Sequence, residues 1–204
     1  MLAHAKKLIQ HHSHYEFDYE MKNREGVFFS EQLPLSLHFY MFLITLSNLC
    51  TEKQVEMFLK PALKGEILGC YAQTELAHGS DVQNLLTTAT FSDEDQTFII
   101  NTPSTLAAKW WIGDLGVYAN HAIVFAQLII KTKKYGVHAF LVPIRDKDHN
   151  PFPGIEVGEI GAKYGYNCKD NGYVIFNKYK IPRRNMLMKY TKVSTTGEYE
   201  RRGN

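Results

Sequence analysis

The chain has 204 residues, enough to bury a real core as one large domain or two small ones. Its 45% hydrophobic and 22% charged content fits an ordinary globular protein, and 23 Lys+Arg against 21 Asp+Glu leave +2, too slight a balance to argue for nucleic acid or an anionic membrane. Three cysteines, Cys50, Cys70 and Cys168, are far apart and odd in number, which suits a reducing compartment and argues against a disulfide framework or a zinc site.

In chain order, "MLAHAKKLIQHHSHYEFD" has no apolar run before its polar residues and does not read as a secretory signal. The first 65 residues read mostly as helix. The most apolar stretch, "PLSLHFYMFLITLSNLC" over 34–50, is interrupted by Ser36, His38, Thr45, Ser47 and Asn48. It is too short and too polar for a membrane span and reads as a core helix. Its apolar positions over 34–48 are too dense for a one-sided stripe, so other elements should largely enclose it. "TEKQ" over 51–54 is a capping box: Thr51 can accept from the Gln54 N–H while Gln54 reaches back to the cap. Val55, Phe58 and Leu59 then repeat at helical spacing, and Pro61 is expected to limit the helix.

From about residue 66 the period becomes strand-like. "EILGCYAQTE" is followed by "LLTTATF" and "QTFIIN", joined by the acidic turn "SDED". "KWWIG", "HAIVFAQLII" over 121–130, "GVHAFLVPI" over 136–144, "IEVGEIG" and "GYVIFNKYKIP" complete the set. Many closely spaced strands without helices between them predict an antiparallel sheet or barrel. The fold class is therefore α+β: a helical N-terminal segment, then an antiparallel β-domain.

Most candidate motifs have a plainer reading. His11, His12 and His14 offer no third ligand at a recognisable spacing and read as a solvated helix face. Gly158, Gly161 and Gly165 in "GEIGAKYG" match neither dinucleotide nor Walker spacing, and read as turn glycines. There is no G-x-S-x-G or H-E-x-x-H motif to support a hydrolase.

Two stretches remain. In "GCYAQTELAHGSDVQ" an apolar strand ends in a surplus of hydrogen-bonding side chains, with Thr74 offering a hydroxyl. In "AAKWWIGDLG" the adjacent Trp110 and Trp111 should point to opposite faces of a strand, one inward and the other toward a groove, ligand or domain. Gly113 just after them permits close approach of a backbone to a planar ring. This composition suits a flat heteroaromatic ligand stacked on an indole and hydrogen-bonded at its edge.

Over roughly residues 33 to 190 the chain resembles the acyl-CoA oxidase family, within the acyl-CoA dehydrogenase superfamily. The resemblance rests on "GCYAQTELAHGSDVQNLLTTATF", "INTPSTLAAKWWIGDLG", "NHAIVFAQLI", "YGVHAFLVPIRD", "PGIEVGEIGAKYGYNCKDNGY" and "IPRRNMLMKY". "TELAHGSDV" is similar to the dehydrogenase signature, while Gln73 before Thr74 and the paired tryptophans favour the oxidase branch. The resemblance implies part of an N-terminal helical domain (1–65), a central flavin-binding β-domain (66–190), and the start of a connection (191–204) to a C-terminal helical region not in the chain.

It implies FAD as cofactor. Thr74 would hydrogen-bond the flavin edge, Gly113 would contact it through its backbone, and Trp111 would shield it. Tyr71 and Gln73 are secondary cofactor-binding candidates, and Ser80 would lie near the acyl-CoA thioester. The implied reaction is α,β-dehydrogenation of a fatty acyl-CoA: a carboxylate base removes the α-proton, the β-hydride passes to flavin, and O2 reoxidises it, giving trans-2-enoyl-CoA and hydrogen peroxide. The implied setting is a peroxisomal homodimer, although the terminal "EYERRGN" is no peroxisomal tripeptide. Ala77 and "WWIGD" depart from the family pattern, and Asp114 would put a negative charge near the flavin edge. No glutamate here matches the catalytic base, Glu75 belonging to the strand signature, so no catalytic or metal residue is assigned. The chain reads as a fragment. The alternatives are an acyl-CoA dehydrogenase serving an electron-transfer flavoprotein, and a non-catalytic flavin- or acyl-CoA-binding piece.

Overall fold

The computed structural model describes residues 35–202; His11, His12 and His14 lie outside them. Two helices lead. α1, residues 36–49, is wound as a π-helix over His38–Phe42 and as an α-helix over Leu43–Leu49. Phe42, Leu43 and Leu46 are buried, but Met41 and Ile44 are exposed. The expectation of a largely enclosed helix is therefore corrected: among the described residues only one side of α1 is covered, so a single stripe is buried.

α2, residues 52–63, begins at the predicted capping box. The Gln54 N–H donates to Thr51 Oγ1 (3.3 Å) and the Thr51 N–H to Gln54 Oε1 (3.1 Å). Pro61 does not end it. A π-helical turn over Val55–Leu59, closed by the Lys60 N–H on the Val55 carbonyl, opens the ladder before the ring, and the chain continues to Leu63.

The β-domain is organised around β5, His121–Ile130. β1 (Gly69–Ala72) pairs parallel with its first half and β2 (Thr88–Ser92) parallel with its second. β6 (Lys133–Pro143) runs antiparallel along the other edge of β5. β2 turns into β3 (Thr97–Asn101), which carries β9 (Tyr179–Pro182). A bridge between Phe140 and Met186 joins the chain just after β9 back to β6, drawing the sheet round toward a barrel. A second sheet holds β4 (Lys109–Gly113), β8 (Asn171–Phe176) and β7 (Ile155–Glu159) in the order β4-β8-β7. The hairpin β10 (Thr191–Val193) with β11 (Tyr199–Arg201) completes the structure.

The sheet is thus mixed, where the lack of intervening helices suggested antiparallel pairing throughout. Parallel strands need a long crossover, and here strands supply it: β1 reaches β5 through β2, β3 and β4. "GYVIFNKYKIP" also divides, because Lys178 turns back at φ +49 and sends β9 to the other sheet.

One core fills the barrel with Phe91, Phe98, Phe140, Leu128 and Phe176. A second lies between sheet and helices, where Ile123, Ala139 and Leu141 meet Phe42, Leu46 and Phe58. Gly69 sets how closely α1 sits on β1, since a Cβ there would fall 2.1 Å from the Phe42 ring. Its N–H donates to the buried His38 Nδ1 at 3.0 Å.

Candidate functional site

The segment after β1 is threaded along the start of β4. The Trp110 N–H donates to the Thr74 carbonyl (3.0 Å), and the Leu76 and Ala77 N–H groups donate to Ala108 and Leu106 (2.9 and 3.1 Å). Beneath it lies an ion pair that the sequence reading missed, between Glu75 and Lys109, both side chains fully buried. Lys109 Nζ spends its three donors on Glu75 Oε1 (3.0 Å) and on the carbonyls of Gln73 (3.0 Å) and Phe125 (2.7 Å). The Glu75 carboxylate also accepts from the Leu86 N–H (2.7 Å), the Thr87 N–H (2.8 Å) and the Thr87 hydroxyl (2.6 Å). Burial pushes the Lys109 ammonium down to about 8, with Glu75 opposing it. Burial pulls Glu75 upward, yet Lys109, the Thr87 hydroxyl and the two amides together hold it below its usual range. A lysine inside the apolar run "AAKWW" was the available signal for this pair.

Of the predicted residues, Gln73 and Trp111 border two different cavities, and Thr74, Gly113, Tyr71 and Ser80 border neither. Tyr71 packs on Phe125 (ring centroids 4.8 Å apart), and Gln73 joins Phe125, Val82, Gln83, Leu85 and Val137 around a cavity of about 560 Å³. Ser80 is exposed on the loop before Val82 and does not line that cavity. Thr74 is half-buried beside Trp110.

The second cavity, about 640 Å³, is bordered by both tryptophans together with Ile160, Lys163, Tyr164 and Tyr166. Strict alternation fails here because β4 bulges between Lys109 and Ile112, and Trp111 takes φ +63. Neither indole fills the core: Trp110 lies over Tyr173 (6.0 Å, 27°) and Trp111 is 55% exposed. The Asn171 side-chain amide holds the bulge, donating to the Trp111 carbonyl at 3.2 Å. An exposed tryptophan in left-handed backbone stores on the order of 1–3 kcal/mol of strain, the kind of feature that gathers at ligand sites.

Gly113 ends β4, three residues beyond Trp110 and on the far side of the bulge. Its small size is required by packing, since a Cβ there would lie 2.8 Å from Leu37 Cδ1 and 3.0 Å from Lys169 Cε. Asp114 corrects the expectation of a negative charge at a ligand edge. It is fully buried, paired with Lys169, and accepts from the Leu35 and Leu37 N–H groups (3.2 and 3.0 Å), tying down the start of α1. Burial, reinforced by Asp170 nearby, raises its carboxyl despite Lys169. Of the three glycines read as turns, Gly158 is instead a strand residue of β7 lying under the Tyr173 ring, 2.8 Å from a would-be Cβ; Gly161 does turn, at φ +87.

No described helix is long and apolar enough to cross a membrane. Residues 70–179 match the profile of the acyl-CoA dehydrogenase middle domain, and residues 1–68 that of the acyl-coenzyme A oxidase N-terminal domain. A probable acyl-coenzyme A oxidase of Caenorhabditis elegans is 51% identical over 170 residues, covering 83% of this chain and 26% of the relative. Human peroxisomal acyl-coenzyme A oxidase 1 is 51% identical over 167 residues, covering 81% of this chain and 25% of the relative. Among solved structures, a tomato acyl-CoA oxidase superposes with a TM-score of 0.90 at 41% identity, over 97% of this chain and 31% of its own. A Caenorhabditis elegans acyl-CoA oxidase complexed with FAD and ATP superposes with a TM-score of 0.82 at 47% identity, over 84% of this chain and 26% of its own. The chain spans about a quarter of the length of the curated relatives it matches. With its β-domain matched to the middle domain, its leading segment to the oxidase N-terminal domain, and its fold to oxidase structures, the chain belongs to the acyl-CoA oxidase family of the acyl-CoA dehydrogenase superfamily.

Proposed function

We propose that this chain supplies one wall of the active site of an FAD-dependent acyl-CoA oxidase acting in fatty-acid β-oxidation. The observation that carries the reading is the junction of β1 and β4, where Thr74 is fixed to Trp110 beside a strained, exposed Trp111. The residues would suit a flavin ring: a threonine hydroxyl at one end of β4, a glycine at the other, and an exposed indole between. FAD held here would supply the redox chemistry, as acceptor of the substrate's β-hydride with O2 as the final oxidant.

This chain's own part is binding and orientation. The Thr74 hydroxyl would donate to the ring edge, where a donor would stabilise negative charge on the reduced ring. Trp111 would shield the ring from water, and Gly113 would approach it through its backbone alone, its Cβ side being closed by Leu37 and Lys169. The Lys109–Glu75 pair fixes the carbonyl of Gln73 and the strand end behind Thr74. The cavity at Gln73 and Phe125, with Tyr71 packed behind Phe125, takes part of the acyl-CoA, with Ser80 on a neighbouring loop. No carboxylate here is assigned as the base; Glu75 is sealed beneath Lys109 and Thr87 and cannot reach a substrate. The base belongs to another part of the assembled enzyme, for which the divisions 1–65, 66–190 and 191–204 and a peroxisomal homodimer are the framework. The isolated chain is then a weak, non-catalytic flavin binder.

Titrating FAD into the chain, with the flavin spectrum as readout, tests this directly. Thr74→Ala should weaken retention or erase the spectral shift, and an unchanged spectrum and affinity removes Thr74 from the site. In an enzyme completed by its base-bearing region, peroxide formed with O2 as sole acceptor separates an oxidase from a dehydrogenase.

A further inference from the structure

A cavity of about 870 Å³ lies away from both tryptophans, between α2 and the segment that follows β9. Six of the chain's 23 Lys and Arg residues line it: Lys53, Arg183, Arg184, Lys189, Lys192 and Arg202. The only acidic side chain in its lining is Glu52, although the chain as a whole is nearly neutral. Of these six cations only Arg202 has an acidic partner among the described residues, Glu200 at 3.3 Å, and that pair is exposed. Like charges gathered in this way repel one another, and a bound anion relieves the repulsion.

The cations sit on a rigid frame. The buried Gln54 amide donates to the Arg184 and Met186 carbonyls (2.8 and 2.6 Å) and accepts from the Met188 N–H (3.1 Å), so Gln54 locks α2 to the segment bearing the arginines. Arg183 is anchored at both ends, its N–H on the Gln96 carbonyl (2.8 Å) and its guanidinium on the Val193 carbonyl (2.6 Å). The Lys189 N–H donates to the Leu49 carbonyl at 3.1 Å. Between the cations the wall is apolar, built from Cys50, Val55, Met57 and Met188. A fixed ring of cations around an apolar wall suits a ligand with adjoining phosphates on an uncharged body.

We propose that this cavity binds the pyrophosphate group of a nucleotide, the cations holding the phosphates and the methionine-lined wall the body. ATP, coenzyme A and FAD all carry that group. The site is separate from Thr74, so it stands or falls independently of the flavin reading.

The test is titration of the chain with inorganic pyrophosphate at low salt, followed by calorimetry and phosphorus NMR. Wild type should show saturable one-to-one binding that weakens as NaCl rises. The double variant Lys53→Gln/Arg184→Gln should bind about tenfold more weakly or worse, the loss expected for charge-assisted hydrogen bonds. A control at the exposed β5–β6 turn, Lys131→Gln/Lys133→Gln, should bind as wild type does. Removing repelling charges should leave the unliganded double variant melting no lower than wild type, so weak binding cannot be blamed on unfolding. Competition with ATP, coenzyme A and FAD identifies the natural source as the one that displaces pyrophosphate at the lowest concentration. Absence of saturable binding, equal weakening by the control, or failure of all three nucleotides to compete overturns the proposal.

Discussion

Two buried carboxylate–ammonium pairs bracket β4, and they do different work. At its start, Glu75 and Lys109 join three strands and a loop, and every donor of the ammonium is used. Just past its end, Asp114 and Lys169 join a strand turn to α1, with the Leu35 and Leu37 amides at the start of α1 donating to the carboxylate and the ammonium donating to the Ser36 hydroxyl (2.9 Å). The first pair supports residues that face cavities, whereas the second supports packing. Their carboxyls shift in opposite directions. Glu75 has three local donors besides its lysine and is held low, while burial, with Asp170 nearby, holds Asp114 high. Burial pushes both carboxyls up; at Glu75 the lysine and the three local donors outweigh it, while at the more deeply enclosed Asp114 burial prevails, helped by Asp170.

The sharpest way to break this contrast is to remove one partner from each pair. Lys109→Met leaves a buried carboxylate without its cation and should cost about 3–5 kcal/mol in urea denaturation. Asp114→Asn should cost less, about 2 kcal/mol, because an amide oxygen can still accept from the start of α1 and Lys169 keeps Ser36. Equal losses would show that the denser network around Glu75 adds nothing.

Acid unfolding separates the pairs by sign. Glu75 is depressed, so its contribution is present above its unfolded value and lost as pH falls through its folded value. Glu75→Gln should therefore flatten the acid limb of stability against pH. Asp114 is raised, so its contribution is present below its unfolded value and lost as pH rises through the folded one. Asp114→Asn should make the acid limb steeper than wild type. On the alkaline side, Lys109 at about 8 lies below its unfolded value, so wild-type stability should gain between pH 8 and roughly 10.4, a gain that Lys109→Met lacks.

The smallest effect is expected at the bulge between the pairs. Trp111→Gly removes a mostly exposed ring and the penalty of φ +63, and should stabilise the fold by about 1 kcal/mol or less. A marked loss of stability would show that the indole is a packing element rather than one held out for a ligand.

Local patterns were legible wherever the deciding interactions are local. The Thr51–Gln54 capping box and the boundaries of β5 were predicted as they stand, because a cap spans three residues and an apolar run needs only its neighbours. The Thr74 and Trp110 stretches were singled out separately by composition, but the hydrogen bond joining them spans the whole β2–β3 hairpin. The division of Gln73 and the tryptophans between two cavities was not legible, since a bulge breaks the two-residue period.

From the order of its residues this chain was already an α+β member of the acyl-CoA oxidase family, with a flavin-suited strand end at Thr74. Helical and strand periods and long ordered matches need no third dimension. Only the tertiary structure could pair Lys109 with Glu75, turn Asp114 inward to α1, make two strand pairings parallel, and gather six cations around one cavity. Each depends on groups far apart in sequence, and the free energy of a buried charge is set by whichever distant donors and charges the fold brings to it.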